Sequence, residues 1–142
     1  MRTDIGEILS EVKSQAHGGR AIAIEVKEAP LVVPVRRHAF KRAVANLVNN
    51  AARFAEHVNV SAERQNGALT VAVEDDGPGI PEGEHEQVFR PFYRIDHARN
   101  QDSGSTGLGL AIARDIARIH GGDIALSRSP LGGLKAVLKI PV

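Results

Sequence analysis

Asp75-Asp76-Gly77-Pro78-Gly79-Ile80 sets a carboxylate directly ahead of a glycine-rich turn. An acid there can accept a hydrogen bond from the exocyclic amine of adenine. Glycines lack a β-carbon, so they let the backbone come close to a ligand. Further on, Gly104-Ser105-Thr106-Gly107-Leu108-Gly109-Leu110 opens a helical pattern. Free amide groups and the helix dipole at such a start suit a phosphate chain. Upstream, Asn46 and Asn50 are one helical turn apart and share a face, with Arg53 on that face and Phe54 at its edge. Asn50 offers a carbonyl oxygen to magnesium, a cation that takes oxygen ligands and keeps waters and substrate phosphates around it. Arg53 can pair with a phosphate oxygen, and Phe54 can cover an aromatic base. A purine-reading acid, a phosphate cradle and an amide metal ligand together describe a nucleotide site.

Each feature by itself has a plainer explanation. Two asparagines on a helix can form a solvated polar face. Asp, Gly and Pro are ordinary turn residues, and Gly104 to Gly109 can be a flexible linker before a capped helix. Asp76 is expected to be solvated. Arg90, Arg94 and Arg99 sit in an irregular stretch, where each can meet a terminal phosphate and stabilise charge during transfer or stay in water. The six histidines lack partners at metal-site spacing and are expected at the surface. A dinucleotide fingerprint needs a strand immediately before its glycines, and here a polar run, Asn100-Gln101-Asp102-Ser103, precedes them.

The elements that must position these residues follow from periodicity. Asp4 and Glu7 form a capping-box pattern ahead of a helix over 5–16, with Ile5, Ile8, Leu9 and Val12 at helical spacing. Ala21 to Val26 alternates as a strand. Leu31 to Val35 reads as a second, which Pro34 relegates to an edge or a strand end. Residues 36–56 form a long helix with a buried stripe of Phe40, Val44, Leu47, Val48, Ala51 and Ala55. Val58 to Gln65 and Leu69 to Val73 make a hairpin through Asn66-Gly67. Glu82 to Val88 suggests a short helix. Leu108, Ile112, Ile116 and Ile119 mark a helix that stops at Gly121-Gly122, and a final hairpin joins 123–128 to 134–140. Hairpins with long helices imply an α+β fold, a two-layer sandwich with helices over one face of a mixed sheet.

The bulk composition is compatible with one domain spanning residues 1–142. Hydrophobic residues make up 42% and aromatics only 4%, so aliphatic side chains fill the core. A formal net charge of +1 gives no general nucleic-acid footprint. The absence of cysteine excludes disulfides and thiolate metal sites. No apolar run is long enough to span a membrane as a helix, so no direct membrane contact is expected. Met1 to Asp4 leads straight into the first helix, as it would in a piece of a longer protein.

In this order the motifs resemble the catalytic ATP-binding domain of sensor histidine kinases, within the gyrase–Hsp90–kinase–MutL superfamily. Asn46-Leu47-Val48-Asn49-Asn50-Ala51-Ala52-Arg53-Phe54 is similar to its N box, and Asp75 to Ile80 to its first glycine box. Phe89-Arg90-Pro91-Phe92-Tyr93-Arg94 is similar to its F box, and Gly104 to Leu110 to its second glycine box. The resemblance covers essentially the whole chain and is nearest to EnvZ-type osmosensing kinases. It implies a Bergerat-type fold and the cofactors ATP and Mg2+. It implies that Asn50 binds magnesium, Asn46 supports the phosphate side and Asp75 reads the adenine amine. Gly77 and Gly79 belong to the same glycine box, and Ile80 and Phe54 pack near the base. Arg53 and Arg94 contact phosphates, with Arg94 and Asn50 the catalytic pair. Thr106, Gly107, Leu108, Gly109 and Leu110 line the triphosphate, and residues from about 95 to 106 form an ATP lid. The expected partners are a dimerisation domain carrying the acceptor histidine and an OmpR-type response regulator, with a cytoplasmic location under a parent kinase in a bacterial inner membrane. The isolated domain is expected to be a monomer. The family's acceptor segment, His-Glu-hydrophobic-Arg-Thr-Pro, does not occur in the chain, so autophosphorylation by the chain alone is not expected. The glycine boxes are also compatible with a non-catalytic nucleotide-binding module or a serine kinase of the anti-sigma-factor type.

Overall fold

Alternating hydrophobic strands and amphipathic helices resolve into two layers. The computed structural model of the protein describes residues 2–15, 21–27, 31–90 and 109–142, without the side chains of Arg2, Ala21, Phe54 and Glu82. Among them lie the strands β1 (Arg2–Asp4), β2 (Ala21–Val26), β3 (Val32–Pro34), β4 (His57–Gln65), β5 (Ala68–Asp75), β6 (Asp123–Arg128) and β7 (Leu134–Pro141). The helices are α1 (Ile5–Gln15), α2 (Arg37–Phe54) and α3 (Gly109–Ile119). Five strands form one sheet in the order β2-β4-β5-β7-β6, and β1 pairs separately with β3. β2 runs parallel to β4 and the other pairs are antiparallel, so the sheet is mixed. A parallel pair needs a long crossover, which α2 supplies.

The three helices cover one face. Val58, Val60 and Ala62 of β4, Leu69, Val71 and Val73 of β5, and Ala136, Leu138 and Ile140 of β7 share one buried core with Ile8, Leu9, Phe40, Val44, Leu47 and Ala113. The opposite face alternates to polar side chains. Glu74 and Lys135 stand opposite one another in the β5–β7 register, and their charged ends are 3.5 Å apart. The β4–β5 hairpin turns at Asn66 and Gly67, with φ of 55° and 76°. Positive φ at both central residues gives the twist that a two-residue hairpin needs.

Ends of elements depart from the periodicity in several places. The short strand β1 was not anticipated. Three polar residues carry no alternation, and pairing with β3 (Thr3 opposite Val33) creates it. Thr3 is 5% exposed, and its hydroxyl donates to the carbonyl of Val35. Pro34 lies at the end of β3, as its missing N–H requires. Asp4 caps α1 by accepting from the amides of Gly6 and Glu7. The Glu7 carboxylate sits 3.8 Å from Arg37. Glu11 is hydrogen-bonded by Arg37 and Lys41 of α2, and these cations hold its carboxyl down at about 2. The expected helix over Glu82 to Val88 is two 3-10 turns, Glu82–Glu84 and Gln87–Phe89. Their closing bonds span three residues, from Glu84 to Pro81 and from Arg90 to Gln87.

α3 ends in a Schellman motif. The Gly122 amide donates to Ala117 and the Gly121 amide to Arg118, with Gly121 at φ +90°. Its buried face centres on Ala113, Ile116 and Ala117, which leaves Ile119 64% exposed rather than in the stripe. His120 is also not a free surface residue. Its Nε2 accepts from the Arg36 amide at 3.1 Å, and its Nδ1 lies 2.9 Å from the carbonyl of Ile116. The ring meets Phe40 edge-on at 6.4 Å. One imidazole thus joins the end of α3 to the start of α2. This geometry demands a neutral ring with the proton on Nδ1. Nitrogen-15 NMR of the His120 ring should show that tautomer, and His120→Ala should lower the unfolding free energy by about 1–2 kcal/mol.

Candidate functional site

β5 carries the glycine-box acid to its C-terminal end, where the strand stops and the backbone turns. Asp75 is 6% exposed there. Its Oδ1 accepts from the amides of Gly77 at 2.9 Å and Leu134 at 3.1 Å, and its backbone carbonyl accepts from Gly133 at 3.0 Å. Burial pushes the carboxyl pKa up, and the two amide bonds pull against that. Among the described residues no bond to Oδ2 is found. Among the described residues the side chain is therefore held by one oxygen.

Asp76 does something different and is not merely solvated. Its Oδ1 accepts from the amides of Glu56 and His57, both at 3.0 Å, and its Oδ2 lies 2.7 Å from the His57 ring. The His57 amide, then the His57 ring, hold its carboxyl below the usual range. These bonds stop α2 at Phe54 and fasten the start of β4 to the end of β5. The last turns of α2 and the Asp75 carboxylate consequently occupy the same end of the sandwich.

Close packing around Asp75 depends on a glycine outside every motif recognised in the sequence. A β-carbon on Gly133 would stand 2.0 Å from Asp75 Oδ1 and 2.7 Å from the Gly77 amide nitrogen. The β6–β7 turn is shaped from Ser129, whose amide donates to Gly133 and whose carbonyl and hydroxyl accept from Gly132 and Leu131. Only Gly132, at φ +106°, needs a positive φ in that turn. A second adjacent glycine was thus the one available signal, and Gly132-Gly133 reads from the sequence simply as a hairpin connector. Gly79, at φ +75°, completes the other side, with the Gly133 backbone 3.5 Å from where its β-carbon would be. Ile80 is half-buried, and its carbonyl accepts from Nε2 of His85 at 3.0 Å.

On α2, Asn46 and Asn50 are both half-buried. The Asn46 amide donates to the carbonyl of Gly109 at 3.2 Å, which ties α2 to the first residue of α3. Among the described residues no bond to the Asn50 side chain is found. Arg53 is half-buried one turn further on, and Leu110 packs against the core from the first turn of α3. Arg90 is exposed. Arg94, Arg99, Thr106, Gly107 and Leu108, with the expected lid, lie outside the described residues, as does the side chain of Phe54. The structure therefore places Asp75, Gly77, Gly79 and Ile80 at the end of β5 beside the last turn of α2, which carries Arg53, and it ties Asn46, midway along α2, to Gly109 at the start of α3, with Asn50 one turn past Asn46 and Leu110 next to Gly109. Among the described residues no group of three or more His, Asp or Glu side chains could hold a metal ion. A cation here would rest on few protein ligands, as magnesium beside phosphates does.

Replacing Gly133 with Ala should push the Asp75 carboxylate and the Gly77 amide apart. The expected cost is about 1–3 kcal/mol of stability, read by thermal melting. Amide NMR shifts should move most at Gly77 and Leu134, which bond to Oδ1.

Comparison with known proteins places the chain in a family. Residues 36–142 match the family described as histidine kinase-, DNA gyrase B- and HSP90-like ATPase. The sensor histidine kinase CpxA of Escherichia coli strain K12 is 36% identical over 138 residues, covering 96% of this chain and 30% of that protein. The chain thus spans less than a third of that relative. Among solved structures, the catalytic domain of histidine kinase ThkA superposes with a TM-score of 0.87 at 26% identity, covering 99% of this chain and 94% of that one. The histidine kinase domain of the E. coli osmosensor EnvZ gives 0.74 at 38% identity, covering 99% and 88%. With a buried acid and a glycine turn at the end of β5 in a mixed-sheet sandwich, the chain belongs to the histidine kinase-, DNA gyrase B- and HSP90-like ATPase family, among the catalytic ATP-binding domains of histidine kinases.

Proposed function

We propose that residues 1–142 form the Mg-ATP-binding catalytic domain of a two-component sensor histidine kinase. The observation that carries this is Asp75, a buried carboxylate pinned by one oxygen and, among the described residues, not bonded at the other, beside a glycine turn in a chain of this family. That second oxygen accepts from the adenine amine, with Ile80 and Phe54 against the base. Asn50 would hold magnesium through its side-chain oxygen, and the ion would screen the charge of the phosphates. Asn46 and Arg53 serve the phosphate side with Gly109 and Leu110. Thr106, Gly107, Leu108 and the catalytic Arg94 complete that side on the strength of the family motifs.

The reaction is in-line phosphoryl transfer. A neutral imidazole nitrogen of the dimerisation domain attacks the γ-phosphorus, the bond to the β–γ bridging oxygen breaks, and ADP leaves. Such transfer rests on positioning and charge stabilisation more than on covalent work by the protein. The acceptor histidine comes from that other domain of the parent kinase. The phosphoryl group then passes to a response regulator of the OmpR type. The parent kinase places this domain on the cytoplasmic side of a bacterial inner membrane.

Two substitutions test the site. Asp75→Asn should leave the ligand-free fold standing at pH 7. Burial already disfavours the charged carboxyl, so its folded pKa is raised and the ionised form contributes less stability than it would in water. That deficit shrinks as the pH falls through the raised pKa, and the amide abolishes it. The same change should erase the preference for ATP over GTP, at about 1–3 kcal/mol. Equal affinity of the native chain for ATP and GTP would refute the assignment. Asn50→Ala should remove the magnesium-dependent part of ATP-analogue binding, about tenfold or more, and leave magnesium-free binding intact by calorimetry.

A further inference from the structure

Arg114 lies on α3, belongs to none of the motifs that carry the resemblance, and bonds through all three of its guanidinium nitrogens. Its Nη1 and Nη2 donate to the two carboxylate oxygens of Glu86 at 2.8 and 3.4 Å. Its Nε donates to Asp123 Oδ1 at 2.9 Å. The guanidinium carbon stands 4.3 Å from the centre of the Phe89 ring, within cation–π distance. The side chain is only 14% exposed despite its charge. Asp123 is further held by Arg118 and by the Ile124 amide. Burial pushes the Asp123 carboxyl up, but the bond from Arg114, with those from the Ile124 amide and Arg118, outweighs it and brings it to about 2.

The geometry is that of a three-way clamp. Glu86 caps the start of the 3-10 turn Gln87–Phe89, and Phe89 ends it. Arg114 stands five residues past Gly109, where the described backbone resumes. Asp123 begins β6. Phe89 is 7% exposed and belongs to the main core, so the clamp is anchored in the fold and not loose on its surface. At the start of the same helix, Gly109 is tied to α2 by Asn46. A planar fork with donors in fixed directions can bond two carboxylates and stack on a ring at once, which a lysine ammonium cannot reproduce.

We infer that Arg114 is a positioning residue for the phosphate side of the nucleotide site: it fixes the Glu86–Arg90 segment to α3, and so sets the first turn of α3 against Asn46. This inference rests on the proposed ATP-binding function. It assigns no contact with the nucleotide to Arg114. The base side, organised by Asp75, Gly77 and Gly133, has a separate set of bonds and does not depend on this guanidinium.

That separation supplies the test. Amide-resolved NMR titrations of the chain with AMPPNP plus magnesium, and separately with adenosine, would be compared between the native protein and Arg114→Met, which keeps the aliphatic stem. The variant should lose about tenfold in AMPPNP affinity and keep its adenosine affinity within about twofold. Arg114→Lys, able to hold one carboxylate at a time, should fall between them. Unchanged affinity for both ligands in a folded Arg114→Met would overturn the inference, and so would an equal loss of both, which marks a merely structural role. Should Arg114→Met melt below the titration temperature, Arg114→Lys decides by the same split. Failure of the native chain to bind AMPPNP would instead overturn the ATP-binding proposal itself.

Discussion

A carboxylate buried at the end of a β-strand is the constraint around which this fold is arranged. Burial alone drives Asp75 toward protonation, since an ionised group taken out of water loses hydration worth several kcal/mol. Two amides aimed at Oδ1 oppose this, and they come from very different distances along the chain: Gly77 two residues on, and Leu134 59 residues on. The second donor is available only because the β6–β7 turn reaches β5 without a side chain in between, and Gly133 is the residue that allows the approach. Holding one oxygen firmly leaves the other buried and, among the described residues, without a hydrogen-bond donor. This condition makes a carboxylate a selective acceptor, because an unmatched ligand leaves it without a partner.

The remaining polar contacts act as long-range ties between elements that the hydrophobic core alone would leave free to slide. Asp76 joins the α2–β4 junction to β5. His120 joins the two helix ends at the far side, and Asn46 joins α2 to the start of α3. Arg114 holds the 3-10 turn at Gln87–Phe89 against α3 and β6. Aliphatic packing is dense but non-directional. With 4% aromatic content the core offers few shaped rings to set orientation, and directional bonds at the element ends supply it. Neighbouring residues of the same type consequently have unrelated tasks: Asp75 faces the candidate site while Asp76 closes a helix.

Much of the architecture was legible in the chain itself. The buried stripes of α1 and α2, the Asn66-Gly67 hairpin and the Gly121-Gly122 stop follow from periodicity and local backbone preference, and they lie where those rules put them. Where the periodicity misled, the cause was an interaction from elsewhere. β1 is a strand because β3 is beside it, and α2 stops at Phe54 because Asp76 takes the next amides. Ile119 is exposed because α3 buries a face centred on small alanines, which carry little hydrophobic signal.

The amino-acid order by itself determined which residue types stand at each turn of each helix, which face of each strand is apolar, and which motifs mark the family. All of that is local, written in spacings of two to four residues. The tertiary structure alone decided that Gly133 must be bare, that Asp76 is an anchor, that His120 is a latch and that Arg114 is a clamp. Each of those depends on a contact between residues far apart in the chain, such as the 84 residues separating Arg36 from His120. No local pattern encodes a distance that exists only after the layers have packed.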